Sequence, residues 1–216
     1  MIEQGNLSLP VYKRIKDLIV EGKLIPGQKI KQEHLAKELG VSRTPLHKAF
    51  QMLENDFLVI SIPRRGIFVR EIDLNQIYDA FECREAIEGI AARRAAKNIT
   101  TEEISELRSL FNPFRNSSLI DNIEEYQKAD HIFHNKIIAI SQNSILTHLD
   151  MLGNLLIRTY QKGLIRSPEE TLSEHFEIID ALETGDSDKA EMLAKKHLRK
   201  SQESIKQMIK RSNQEI

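Results

Sequence analysis

The chain is 216 residues long, 40% apolar and 29% charged, with a formal net charge of −1. That is the composition of an ordinary folded protein of one or two domains, and it holds no apolar run of the ~18 residues from which a membrane helix is built. A single cysteine, Cys83, excludes an internal disulfide, and the opening MIEQGNLSLPVYKRIKD lacks the apolar core of a secretory signal; both features predict a cytoplasmic protein. The small net charge conceals an asymmetry. Residues 1–70 carry 12 Lys+Arg against 7 Asp+Glu, a net of +5, which leaves 19 against 25, a net of −6, for the remainder. A basic third followed by an acidic remainder predicts two domains, divided here as 1–71 and 72–216, with a polyanion as partner of the first.

In chain order, the first pattern is a helix over 11–21, with Val11, Ile15, Leu18 and Ile19 on one face. Gly22 stops it and IPGQ forms a turn. A short helix over 32–39 buries Leu35, Ala36 and Leu39, and a third over 43–55 buries Leu46, Ala49, Phe50 and Leu53. Ser42 stands where an N-cap would accept a hydrogen bond from a first-turn amide, and Pro45 falls in that turn, where a missing N–H costs nothing. Two β-rich runs, 58–62 and 67–70, flank PRRG, which predicts a hairpin with a four-residue loop. From Asp73 onward the patterns are helical: about 74–97, 101–112, 120–141, 144–162, 169–184 and 186–211. Thr100 with Glu103, and Ser167-Pro168 ahead of Glu170, mark helix starts; Gly163 and Gly185 mark ends. The predicted fold is mainly α: a winged helix-turn-helix with a small β-hairpin, then an all-α six-helix bundle.

Three short helices and a basic-tipped hairpin make a head for reading DNA. Gly40-Val41-Ser42 is the tight turn, and Ser42, Arg43 and Thr44 lead the recognition helix. A helix N-terminus offers unpaired N–H groups and a favourable dipole to a phosphate. Arg43 can reach a phosphate or a guanine edge in the major groove, and His47, one turn on, a base edge. Arg64 and Arg65 on the wing suit the minor groove or backbone, and Gly66 permits close approach. On VYKRIKDLIVEGKLIPGQKI, LAKELGVSRTP and LENDFLVISIPRRGIFV, residues 9–70 strongly resemble the GntR family of bacterial transcription regulators. The resemblance implies DNA contacts at Arg43, His47, Arg65 and Gly66, and also at Ser42, Thr44 and Arg64. Members commonly carry Arg-Glu where this chain has His47-Lys48, which predicts an altered contact there.

In the helical half, ionisable residues occupy faces that ought to be apolar. Asp130 and His134 lie four apart among Tyr126, Phe133 and Ile137. His175 lies on the stripe Leu172, Ile179, Leu182, and His197 on the stripe Ala190, Leu193, Ala194. Buried without partners, such groups would be costly. One divalent ion satisfies all four, and three imidazoles with one carboxylate suit zinc first, with nickel or manganese as alternatives. His34, His131 and His148 fit no such pattern and are expected at the surface. Arg84 shares a stripe with Ile77, Phe81, Glu88, Ala91 and Ala95. Its guanidinium needs an anion, either an internal carboxylate such as Glu88 or a ligand carboxylate held bidentately.

On FECREAIEGIAARRAA, DHIFH, SEHFEIIDALETGD and AEMLAKKHL, this half resembles the all-helical FCD ligand-binding domain of FadR-type GntR regulators, in its shorter, VanR-like six-helix form. The resemblance implies metal ligands Asp130, His134, His175 and His197 with an effector nearby; Asn154 and Arg158 could line the same cavity with Arg84. The expected protein is a homodimeric repressor, not an enzyme, that binds a palindromic operator. A small organic acid at the metal would shift its grip by favouring one of two states. The rival readings are a metal-dependent enzyme, with Glu174 as candidate general base, and a metal sensor with no organic effector.

Overall fold

The computed structural model describes residues 7–115, 123–149 and 164–214. The chain forms two compact units, the first closing at Asp73 and the second opening at Leu74.

The first unit holds α1 (Ser8–Val20), α2 (Gln32–Glu38), α3 (Arg43–Asn55), β1 (Val59–Ile62) and β2 (Gly66–Val69). Val11, Ile15, Leu18 and Ile19 of α1 pack with Leu35 of α2 and with Leu46, Ala49, Phe50 and Leu53 of α3 over the inner face of the hairpin. Helix α1 starts three residues before the predicted point: Ser8 is buried, and Pro10 falls in the first turn, where its absent N–H leaves no helical bond unmade. Helix α3 starts at Arg43 with an extended Ser42 at its N-cap (φ −74°, ψ 169°), but the Ser42 hydroxyl makes no capping hydrogen bond, against expectation. The hairpin pairs Val59 with Val69 and Ile62 with Gly66, so its loop is Pro63-Arg64-Arg65, three residues and not four. Arg64 takes φ 63° and Gly66 φ 107° to close it, a geometry that favours glycine at the second position. Residues 27–30 flank the other edge of β2, through bonds from Gly27 N–H to the Val69 carbonyl (3.0 Å), Val69 N–H to Gln28 (2.9 Å) and Ile30 N–H to Ile67 (2.8 Å).

The second unit is helical among the described residues: α4 (Leu74–Asn98), α5 (Thr101–Phe111) with a 3-10 turn (Asn112–Phe114), α6 (Ile123–Ile140), α7 (described over 144–149), α8 (Pro168–Glu183) and α9 (Ser187–Ser212). The predicted segments 120–122 and 150–162, and the expected end at Gly163, lie outside the described residues. Helix α4 packs most extensively along α9. Small residues Ala91, Ala92 and Ala95 on α4 and Ala190 and Ala194 on α9 are all buried in the core. A complete capping box starts α5: the Thr100 hydroxyl accepts from Glu103 N–H (3.2 Å) and the Glu103 carboxylate from Thr100 N–H (2.9 Å). At α8 the Glu170 carboxylate accepts from Ser167 N–H at 3.3 Å, and Gly185 (φ 69°) ends the helix. Among the described residues no helix is long and apolar enough to cross a membrane.

Candidate functional site

Two groups of polar side chains stand out, and they differ in burial. In the first unit, Ser42, Arg43, Thr44 and His47 are all exposed along the leading end of α3, and Arg64 and Arg65 are exposed at the hairpin tip beside a half-buried Gly66. Arg43 Nη2 meets Glu33 Oε1 of α2 at 2.9 Å, with the two side chains 87% and 85% exposed. Such a pair is worth little and yields readily to a stronger anion. The Arg65 guanidinium lies 5.7 Å from the Phe68 ring centroid and Lys29 Nζ 6.0 Å from the same ring. No carboxylate pairs with Lys29, Arg64 or Arg65 among the described residues, so three cations remain available on one wing. Lys29 escapes a reading of the sequence because only the strand-like pairing of 27–30 with β2 brings it beside Gly66.

The second group is buried. Asp130 and His134 project from α6, His175 from α8 and His197 from α9, and one donor atom of each falls within 4.8 Å of every other. The four residues singled out by periodicity are therefore brought to one point. The His175 ring stacks on Phe111 (centroids 4.4 Å, 14°) and lies 4.8 Å from that of His197. Asp130 Oδ1 sits 3.2 Å from His175 Nε2 and 3.7 Å from His134 Nε2. His175 Nε2 is nevertheless fully buried and makes no well-directed hydrogen bond among the described residues; the 3.2 Å contact with Asp130 has the distance of one without its direction. A buried nitrogen left without a partner is costly, and it faces the carboxylate and two further imidazoles.

Around this inner set runs a second ring that the sequence reading did not anticipate as such. Glu88 Oε2 meets His134 Nδ1 at 2.5 Å, Tyr126 Oη meets His175 Nδ1 at 3.1 Å, and Glu174 Oε2 meets His197 Nδ1 at 2.8 Å. Arg84 Nε and Nη2 both reach Glu88 Oε1 at 2.6 Å, and the guanidinium lies 5.0 Å from the Phe81 ring centroid. Of the two expected anions for Arg84, the internal one is thus in place. Arg166 grips Glu174 with two bonds of 2.7 and 2.9 Å, and Lys200 adds a third at 2.5 Å. Glu174 is committed to these cations and to His197, which leaves it poorly suited to act as a general base. His34 and His148 are exposed, and His131 is half-buried beside Asn135. Asn154 and Arg158 lie outside the described residues.

The charges are sorted by these contacts. Burial works against the Glu88 carboxylate, but Arg84 and His134 outweigh it and pull its pKa down to about 2. Burial likewise opposes charge on His134, yet Glu88 and Asp130 push it up to about 9. For His175 burial wins: its pKa falls to about 4, with Asp130 opposing and the charge of the other imidazoles assisting. Burial lowers His197 as well, against the pull of Glu174. Asp130 is held well below the usual carboxylate range by the imidazoles of His134 and His175, which overcome its desolvation. Near neutral pH, then, His175 and His197 are neutral with lone pairs to offer, and Asp130 is an anion beside them. That donor set fits a divalent transition metal.

The sequence model of the gntR family of bacterial regulatory proteins matches residues 7–69, and that of the FCD domain matches residues 79–200. The chain belongs to the GntR family and carries an FCD domain. It is 27% identical over 203 residues to the HTH-type transcriptional repressor RspR of Escherichia coli K12, covering 92% of this chain and 88% of RspR. It is 28% identical over 191 residues to the Nta operon transcriptional regulator of Aminobacter aminovorans, covering 88% and 90%. The fold is similar to that of a GntR transcriptional regulator from Rhodococcus sp. RHA1 (TM-score 0.71, 22% identical, covering 92% of this chain and 96% of the other) and of E. coli McbR/YncC (TM-score 0.68, 21% identical, covering 97% and 100%). Membership of the GntR family makes the protein a DNA-binding transcription regulator and not an enzyme. Within that family frame, α2 and α3 form the helix-turn-helix and the β1–β2 hairpin the wing.

Proposed function

We propose that the protein is a homodimeric repressor whose heads read a palindromic operator, and whose helical domain binds a divalent metal and, at it, a small carboxylate effector. Ser42, Arg43, Thr44 and His47 would enter the major groove, with Arg64, Arg65 and Gly66 against the neighbouring backbone or minor groove. Two such heads read half-sites about 34 Å apart. The observation that carries the metal reading is the convergence of Asp130, His134, His175 and His197 to within 4.8 Å, with His175 Nε2 buried and without a hydrogen bond. Zinc fits this donor set first, nickel or manganese after it. When bound, the ion would supply a Lewis-acidic position able to take an effector oxygen. Arg84 would address the same guest, either with Nη1 or by exchanging Glu88 for the guest's carboxylate. Asn154 and Arg158 complete the proposed effector set.

The test begins with metal analysis of the purified protein and Zn²⁺ titration. An operator is then selected from a random duplex library, and its binding is followed by fluorescence anisotropy with and without Zn²⁺ and a panel of small organic acids. Stoichiometric metal and an acid-dependent change in operator affinity are expected. A protein that binds no divalent ion overturns the metal reading. A response to metal alone, with every acid inert, makes the ion itself the signal.

A further inference from the structure

The inner donors are only half of a metal site, because an imidazole has two nitrogens and can ligate through the one that carries no proton. In this protein the outer ring decides which nitrogen that is. Ionised Glu88 and Glu174 can only accept hydrogen bonds, so His134 and His197 must place an N–H at Nδ1 to meet them at 2.5 and 2.8 Å. The tautomer of His175 is set less directly. Its Nδ1 faces the Tyr126 hydroxyl, which could donate or accept. That hydroxyl lies 2.7 Å from Thr171 Oγ1. Thr171 can donate its single hydroxyl proton either to Tyr126 or to the Ser167 carbonyl at 3.1 Å, so this chain can run in either sense. Asp130 Oδ1, 3.2 Å from His175 Nε2, favours a proton on that nitrogen in the absence of an ion. An ion at Nε2 would force the other sense: His175 Nδ1–H to Tyr126, Tyr126 to Thr171, Thr171 to Ser167.

Resting on the metal reading above, we propose that Glu88, Glu174 and the Thr171–Tyr126 relay are positioning residues that accept the Nδ1–H of each histidine in the metal-bound state and so aim three Nε2 lone pairs at one ion. Ser167 begins α8, so the relay is anchored in the cap of the helix that carries His175. Thr171 and Tyr126 are both buried, so their hydroxyls meet side-chain and backbone partners inside the bundle. Arg84 and Arg166 complete the device by holding the two glutamates in place. Partners of this outer kind typically control metal affinity by about 10–100-fold.

The discriminating change is Thr171→Val, which keeps the shape but removes the acceptor for Tyr126. The phenol proton then has only His175 Nδ1 to meet, which holds the ring in its Nε2–H form and opposes an ion at that nitrogen. Zn²⁺ affinity, measured by competition with a chelator, should fall about 10–100-fold in Thr171→Val and recover in Thr171→Ser. Co²⁺ absorption bands should shift with it, which a merely structural defect in the apo fold would not cause. Glu174→Gln provides a second variant, with a similar loss expected through His197. Unchanged Zn²⁺ affinity in Thr171→Val, or full affinity in Glu174→Gln, overturns the proposal even if His197→Ala abolishes binding. If the wild type binds neither Zn²⁺ nor Co²⁺, the metal reading fails and the proposal with it.

Discussion

The two units use ionisable residues in opposite ways. In the first unit, Arg43, His47, Arg64, Arg65 and Lys29 are at the surface, and the one salt bridge among them within the described residues, Arg43 to Glu33, is almost fully solvated. Their proposed action on a polyanion depends on charge and reach, tolerates small displacements, and weakens with salt. In the helical unit, Arg84, Glu88, His134, His175 and His197 are all buried, and each has its place in a closed set of contacts. There, the proposed metal binding depends on which atom faces which, because an unsatisfied buried group costs far more than an exposed one. A surface charge can be replaced by another nearby; a buried nitrogen cannot.

That contrast can be broken most forcefully at the buried end. His197→Ala or His134→Ala should lower Zn²⁺ affinity by more than about 100-fold, the upper limit for losing only an outer partner, while operator binding without effector persists. Retention of stoichiometric metal in both variants would reject the four-donor assignment. Next in size, Arg43→Ala should cost about 1–3 kcal/mol of operator binding and relax sequence preference at one position, with Zn²⁺ affinity unchanged. Wild-type anisotropy curves for this variant would remove α3 from the interface. Lys29→Ala should weaken all duplexes alike and reduce the slope of log affinity against log salt by about 1; an unaltered slope would place Lys29 off the DNA. Thr100→Ala, which breaks the α5 capping box, should destabilise the fold by about 1 kcal/mol in denaturant melts yet leave both ligands' affinities alone. The smallest effect is expected at Glu33→Gln. Releasing Arg43 from an exposed pair worth about 0.2–1 kcal/mol should tighten operator binding a few-fold at most, and weaker binding would mean that Glu33 orients Arg43 instead of competing for it.

Much of this was legible before any coordinates. The α3 boundaries follow from the Gly40-Val41-Ser42 turn and the stripe of Leu46, Ala49, Phe50 and Leu53, because helical periodicity and a stop signal agree there. The four inner donors were found because each interrupts an apolar stripe. The early start of α1 was missed because Ser8-Leu9-Pro10 contains no periodic apolar signal, although Ser8 is buried. The three-residue wing loop was missed because register, not composition, decides whether Gly66 pairs. Glu174 was weighed as a base, since nothing in SEHFE announces that Arg166 and Lys200 will close around it.

What the sequence determined by itself is the inventory and its local phasing: helices by their 3.6-residue stripes, a hairpin by its β-branched runs, basic residues at turns, and histidines on faces that must turn inward. These are properties of neighbours along the chain, and spacing encodes them. Only the tertiary structure decided which partner each inward group meets. Tyr126 and His175 come from different helices, as do Glu88 and His134, and the outer bonds that meet each ring span separations that no periodicity records. The physical reason is that a hydrogen bond is fixed by distance and direction at the scale of an ångström, and that scale is reached only when the helices have packed.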